Sequence, residues 1–402
     1  MRVVGVICEY NPFHNGHAYH LAQARARARA DYVVCVMSGC FTQRGEPALL
    51  DKWIRARMAL SGGADLVLEL PFAFACAQAE RFARGGVALL ASLGAVTHLS
   101  FGCEEQSLPY LRQATELLGE EPPAFRAALA RALARGCSFP RARAQALCET
   151  LGLHEEDAPA LAQPNFSLAA EYQRALRELA PAVKALPVAR SGSGYHEEAL
   201  SPLASATAIR LAARRGEWQA LHAAMPDADL LQAAFAEGRC ADLDAFSNLL
   251  LYRLRTMRLC DLRALYDMPE GLENRILRCA QDAAAYEQLV TGIKSKRYTR
   301  ARITRMLLHA LVGFTREQAQ ASPLPSYARV LGFREDAAPL LRHLKGSSSV
   351  PLVLRAAPFE RQADPLFCLD VRATDVWALC CTAPDARLGR RDARTSPVIL
   401  RS

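Results

Sequence analysis

Residues 3–20, VVGVICEYNPFHNGHAYH, decide how the rest of the chain is read. Val3–Ile7 is an unbroken apolar run rich in β-branched residues, as in a strand buried on both faces. Asn11-Pro12 then makes a turn, since proline fixes its φ and has no N–H for a ladder. Beyond the turn, His17–Ala30 is rich in Ala and Arg and reads as a helix. Gly16 sits at the join, where a missing side chain lets a ligand approach the backbone. The first helical turn offers unpaired N–H groups to anions. His14 and His17 flank that glycine and can donate hydrogen bonds to phosphate oxygens, which is useful where charge develops on an α-phosphate under attack. Two other readings remain beside this one. One is a histidine-rich turn with locally satisfied side chains; the other is a metal site of His14, His17 and His20. The i, i+3, i+6 spacing of the three drifts around a helix, and His14 precedes it, so three ligands would not converge easily.

The pattern repeats outward from this stretch. Asp31–Met37, Ala64–Leu70 and Thr97–Phe101 read as further strands, with helices over Asp51–Ser61 and Ala79–Leu93 between them. Lys52, Arg55 and Arg57 are placed on the polar side of the first of these helices. Alternating strands and crossover helices make a parallel sheet covered on both faces, with ligands beyond the carboxyl ends of the strands. Residues 107–180 are mostly helical, Val183–Val188 is a fifth strand candidate, and Ser205–Arg215 restarts a helix. Beyond about Glu217 helices dominate, until short strand-like pieces (YARVLGF, VPLVLR) follow Ser322. The expected architecture is α/β: a Rossmann-like parallel-sheet domain over residues 1–216, then a mainly α-helical C-terminal domain over 217–402.

Composition narrows the class. The 402 residues are 51% hydrophobic and 22% charged, which excludes wholesale disorder. No apolar run approaches the ~20 residues of a membrane span. The start of the chain lacks the apolar length and cleavage site of a signal peptide. The thirteen cysteines are scattered with no CxxC, and read as buried reduced thiols of a cytoplasmic protein. The net charge is +8, with only five lysines among 49 basic residues, an Arg preference that reads as composition bias.

HNGH after a first strand resembles the HxGH signature of the nucleotidyltransferase superfamily. The fuller string GVICEYNPFHNGHAYH resembles one family within it, the bacterial tRNA(Met) cytidine acetate ligases. Further blocks match in order: SGCFTQRGEPALLDKWIRARMAL, GADLVLELPFAFACAQAERFARGGVALL, FGCE at 101–104, PNFSLAAEY at 164–172, ARSGSGYHE at 189–197 and SATAIR at 205–210. NLLLYRLR, EGLENRI, KSKRYTRARITRMLLH and YARVLGF continue the match to about residue 335. The resemblance implies an ATP-dependent ligase. Acetate attacks the α-phosphate of ATP, giving acetyl-adenylate and pyrophosphate, and N4 of the wobble cytidine of elongator tRNA(Met) takes the acetyl group. Adenylation replaces an oxide leaving group with AMP, so no side-chain nucleophile is required. ATP would be a substrate, with Mg2+ expected beside it, and no tightly bound cofactor is implied. Two alternatives are a small-metabolite adenylyltransferase with the same HxGH core and an RNA-binding protein with a relict site. The large basic helical region argues against the first, and intact HNGH and SATAIR against the second.

By this resemblance the ATP stretch comprises Ile7, Cys8, Glu9, Tyr10, Asn11, Pro12, Phe13, His14, Asn15, Gly16, His17, Ala18, Tyr19 and His20, with His14 and His17 catalytic on the phosphates. Gly102 would let the nucleotide lie against the fourth strand, or is a plain turn glycine. Asn165 would contact the nucleotide, or cap a helix. The family usually has a second asparagine after it, where this chain has Phe166. Arg190 would reach the adenosine or phosphates, or is a surface charge. Ser205 and Thr207 would touch phosphate or cap a helix, with Arg210 adding charge. Gln43 and Arg44 would face acetate or the cytosine.

KSKRYTRARITR, residues 294–305, is the densest basic stretch. Interleaved with Tyr298, it has the footprint of a surface for a phosphate backbone, or of a solvated amphipathic helix. The resemblance favours tRNA contacts by Lys294, Lys296, Arg297, Arg300 and Arg302.

Overall fold

Each strand candidate of the first hundred residues forms a strand, in a computed structural model that describes residues 1–189, 204–295 and 298–401. The order is β1 (Val3–Cys8), α1 (Asn15–Ala28), β2 (Tyr32–Ser38), α2 (Lys52–Ser61), β3 (Leu66–Leu70), α3 (Phe72–Ala75), α4 (Ala79–Ser92) and β4 (Val96–Cys103). β5 (Lys184–Ala189) follows a helical excursion that ends in the helix Pro164–Leu179. β1 pairs in parallel with β2 and with β4, β2 with β3, and β4 with β5. The first strand is therefore central, and its carboxyl end emerges between those of its neighbours, with Cys8 opposite Met37.

Alternate residues serve opposite faces, as the two-residue period of a strand requires. Val3, Ile7, Val34, Val36, Leu66 and Leu68 join one core, with α4 and the helices Pro164–Leu179 and Arg300–Val312. Val4, Val6, Val33, Cys35 and Val67 join the other, with α1, α2 and the helix Ala206–Arg215. The two-sided burial explains why these strands read as continuous apolar runs.

The chain beyond residue 216 is helical through Val312 and beyond, and then returns to the sheet. β6 (Ala328–Arg334) pairs antiparallel with β3, while β7 (Leu352–Val353) and β8 (Val398–Leu400) pair in parallel with β6. The sheet thus has eight strands in the order β5-β4-β1-β2-β3-β6-β7, with β8 also on β6. The strand-like pieces after Ser322 belong to the same sheet as the N-terminus, so the sheet spans the division expected at residue 216. Antiparallel β6 removes the open edge that β3 would otherwise present.

This return overturns one expectation. Lys52 and Arg55 of α2 are fully buried, and of the three basic residues only Arg57 is exposed. Asp51 caps the helix through Trp53 N (3.0 Å) and Ile54 N (2.8 Å), and its other oxygen pairs with Arg391 at 2.7 Å. Lys52 Nζ donates to both oxygens of Glu69 (2.8 Å each) and to Asp392 (2.7 Å). Lys52 is met by Asp392, 340 residues away, and Arg55 by carbonyls of the neighbouring strand ends, neither of which local periodicity can see.

All thirteen cysteines are free thiols. Among the described residues no helix is long and apolar enough to cross a membrane.

Candidate active site

The stretch after β1 is held by its own histidines. His14 is the N-cap of α1, and its Nδ1 accepts from Gly16 N at 3.1 Å. His17 Nδ1 in turn accepts from His14 N at 3.3 Å, a reciprocal capping box built from two imidazoles. The rings stack at 3.7 Å between centroids. A ring whose Nδ1 accepts an amide proton carries its own proton on Nε2. Both histidines are thereby fixed as Nε2–H donors at the N-terminus of a helix, where a phosphate is favoured. Gly16 packs tightly here: a Cβ would lie 3.0 Å from the His14 ring, so a side chain at this position would press on the cap.

The other members of the stretch divide into scaffold and rim. Ile7, Cys8, Tyr10, Pro12 and Phe13 are buried or nearly so, with Phe13 against Tyr10 (4.9 Å between centroids) and His17 (5.6 Å). Their side chains build the turn, leaving the backbone for any ligand contact. Asn11 Oδ1 accepts from Leu49 N at 2.7 Å, and Asn15 Nδ2 donates to Ala223 O at 2.8 Å. Ala18 N donates to His14 O, and Tyr19 is exposed. His20 Nε2 is paired with Ser100 Oγ of β4 at 3.0 Å, so it does not join the stacked pair as a third ligand. Among the described residues no group of three or more His, Cys, Asp or Glu could hold a metal ion.

More distant candidates converge on the same sheet end to different degrees. Gly102 lies in β4 opposite Val188 of β5, two residues beyond the serine that holds His20, and is a strand residue instead of a turn. Asn165 occupies the first turn of Pro164–Leu179 and is not its cap, which is Gln163; its Nδ2 donates to Glu104 at 2.6 Å. The other Glu104 oxygen is buried with no partner among the described residues. Phe166, where the family usually has a second asparagine, is buried in the core. Ser205 caps Ala206–Arg215 by accepting from Ala208 N at 3.2 Å. Thr207 Oγ1 accepts from Arg210, whose other nitrogen donates to Asn11 O at 2.8 Å. SATAIR is thus joined to the first turn by Arg210. Arg190, Lys296 and Arg297 lie outside the described residues.

Two clamps have no signature in the sequence. The buried Arg55 guanidinium donates to Glu9 O (2.6 Å), Ser38 O (3.1 Å), Leu50 O (3.1 Å) and Gly39 O, tying the carboxyl ends of β1 and β2 together. Burial lowers its pKa from the usual guanidinium range. The second clamp joins the loop after β2 to the helix Arg300–Val312. Thr304 Oγ1 donates to Arg44 O, and Arg305 donates to Gln43 O at 3.3 Å. Gly45 has φ +78°, and a Cβ there would lie 2.5 Å from Arg305 N, so backbone meets backbone.

The basic stretch is less open than its composition suggests. Arg300 makes a two-pronged pair with Glu287 (2.6 and 2.8 Å), Arg302 pairs with Asp267 at 2.7 Å, and Arg305 is buried. Lys294 is exposed at the end of the helix Tyr286–Ile293. Arg300 and Arg302 remain partly exposed and keep donors beyond those in the ion pairs.

The HIGH Nucleotidyl Transferase family model matches residues 1–392. The tRNA(Met) cytidine acetate ligase of Syntrophomonas wolfei is 38% identical over 413 residues, covering 99% of each chain. That of Acetivibrio thermocellus is 37% identical over 416 residues, covering all of both. The chain belongs to the tRNA(Met) cytidine acetate ligase family. Among solved structures, apo TmcAL from Thermotoga maritima superposes with a TM-score of 0.92 at 33% identity, covering 100% of both chains. The same protein bound with alpha-thio ATP superposes with a TM-score of 0.91. The acetate ligase fold therefore extends over the whole chain, including the C-terminal strands.

Proposed function

We propose that this member of the family is an ATP-dependent ligase that activates acetate as acetyl-adenylate and acetylates N4 of the wobble cytidine of elongator tRNA(Met). The observation that carries this reading is the paired His14–His17 cap, which holds two imidazoles in the Nε2–H form at a helix start, in a chain similar end to end to tRNA(Met) cytidine acetate ligases. ATP would lie with its phosphates at this cap and its nucleoside toward Gly102 and Asn165, with Arg190, Ser205 and Thr207 closing the site. Mg2+ would enter with the phosphates, which supply most of its oxygen ligands in such sites.

In the first step acetate oxygen attacks the α-phosphorus and pyrophosphate leaves. The two imidazole donors and the helix N-terminus oppose the charge that gathers on the phosphate oxygens. In the second step the cytidine amine attacks the acetyl carbon and AMP leaves. The tRNA would be held by Lys294, Lys296, Arg297, Arg300 and Arg302, on the region bolted to the loop Gln43–Gly45.

Acetate-dependent exchange of pyrophosphate into ATP, without tRNA, tests the first step. His14→Ala and His17→Ala should each lower it by about 10²–10³-fold, the worth of one such donor. Exchange that ignores acetate would point to a small-metabolite adenylyltransferase. Mass spectrometry of nucleosides from treated tRNA should show N4-acetylcytidine, and its absence would reject the RNA step.

A further inference from the structure

The second step has a requirement that the imidazole pair does not meet. The amine loses a proton as the N–C bond forms, and the departing AMP phosphate is a weak base. Glu9 is the only carboxylate in the stretch 9–20. It follows the carboxyl end of β1 directly, five residues before His14. Its carbonyl is fixed by Arg55, and its Oε1 accepts from Gln43 N at 2.5 Å. Among the described residues the Gln43 amide is the one hydrogen-bond partner of its side chain, through Oε1, and the residue is half-buried. Gln43 in turn gives its carbonyl to Arg305 of the helix Arg300–Val312. Glu9 is thus linked through Gln43 to the helix assigned to tRNA and through the turn 10–13 to the histidine cap, with one oxygen tied.

The geometry points to Glu9 as the general base of acetyl transfer, an inference that rests on the function proposed above. Cytidine N4 attacks the acetyl carbon, and the N–C bond forms as the carbon–oxygen bond to the α-phosphate breaks. AMP leaves with that electron pair. The N4 proton passes to Glu9 Oε2 and from there to solvent, which restores the carboxylate. No oxidant or further reactant is involved.

The surroundings suit this role. Burial pushes the Glu9 carboxyl up from the ordinary carboxylate range, against the Gln43 amide and the charges of Arg44, Arg55 and Arg210. Arg44 comes from the loop after β2, Arg55 from α2 and Arg210 from the helix beginning at Ala206. The Cys76 thiol and the Tyr172 phenol face it from the other core, and burial raises the pKa of both, so they stay neutral there. A base works best when its pKa approaches the working pH, so an upward shift improves it as a proton acceptor.

The test separates the two steps. Acetyl-adenylate is formed on the full-length enzyme, tRNA is added, and transfer is followed in a single turnover from pH 5 to 9 beside acetate-dependent pyrophosphate exchange. Glu9→Gln keeps the acceptor for Gln43 N but cannot take a proton. It should lower transfer by about 10²–10⁴-fold, the usual worth of a general base, and remove the rise of transfer with pH. Exchange should fall by much less. Glu9→Asp should retain the rise with pH at a reduced rate. Equal losses in exchange and transfer, or a Glu9→Gln profile that still rises as in wild type, would overturn the assignment. Wild-type enzyme without acetate-dependent exchange would instead overturn the ligase reading itself.

Discussion

Replacing Lys52 with methionine tests the claim that the C-terminal segment is locked to the sheet by buried charge. Lys52 and Arg329 face Glu69 and Asp392, all within a few percent of complete burial, with Arg329 on Asp392 at 2.7 Å and 3.6 Å from Glu69. Asp370 lies beside them, where burial together with Glu69 pushes its carboxyl well up from the ordinary range, against the hydrogen bonds donated by Tyr327 and Phe72 N. Within the ion-paired cluster itself, two cations, Lys52 and Arg329, face two carboxylates, Glu69 and Asp392. Burial disfavours the ammonium of Lys52, yet Asp392 and Glu69 raise its pKa above the usual lysine value. Methionine fills similar volume but leaves one carboxylate without a counter-charge, which costs about 3–5 kcal/mol in a dry interior. With unfolding entropy of about 2.1 cal/mol/K per residue, the 402-residue chain has about 0.84 kcal/mol/K, so Tm should fall by about 4–6 °C. Differential scanning calorimetry reads this directly.

The pH dependence supplies a second arm. Burial would raise Asp392, but Lys52 and Arg329 hold its carboxyl below the ordinary range. A depressed carboxylate contributes stability above its unfolded pKa of about 3.9 and loses it as pH falls through the folded value. The variant lacks part of that contribution, so its deficit should shrink toward acid pH. Lys52→Met combined with Asp392→Asn should recover part of the loss. A Tm within 1 °C of wild type at neutral pH, or a deficit that grows on acidification, would refute the charge-balance argument.

Three further outcomes are expected. Gly45→Ala strains a left-handed position and drives a methyl into Arg305 N, so about 1–3 kcal/mol of stability should be lost. Acetyl transfer to tRNA should fall more than pyrophosphate exchange, and an unaffected transfer rate would show that the loop-to-helix clamp is dispensable. Burial lowers His309 to about 4, although the Cys76 and Tyr266 carbonyls beside it favour the charged ring. A depressed histidine stabilises above its unfolded pKa of about 6.5 and loses that contribution as pH falls toward 4, on the order of 3 kcal/mol. Urea titrations should show this slope in wild type and a flatter one in His309→Gln. Removing Lys294, Lys296 and Arg297 together should weaken tRNA binding and reduce the log–log salt slope by about 0.7–0.9 for each phosphate no longer neutralised; an unchanged slope would place the RNA elsewhere.

The turn after β1 was legible along the chain. HNGH predicts a phosphate-facing turn because glycine and two donors at a helix start have few other uses, and the cap geometry supplies the tautomer behind it. The role of Arg55 was not legible. Four carbonyls from three segments converge on it, and nothing local distinguishes it from the exposed Arg57 two residues on. For the basic stretch, composition counts charges but not the Glu287 and Asp267 that pair with Arg300 and Arg302.

The sequence by itself determined the central strands, because burial on both faces writes an apolar run, and it determined the histidine-capped turn after β1, because capping is a local constraint. Only the tertiary structure decided that β6 to β8 complete the same sheet and that Lys52, Glu69, Arg329 and Asp392 form one buried cluster. It alone linked Glu9 through Gln43 to the helix of Arg305. Those pairings join residues tens to hundreds of positions apart. Excluding water costs these groups their hydration, and the partners brought in by the folded-back chain offset that cost.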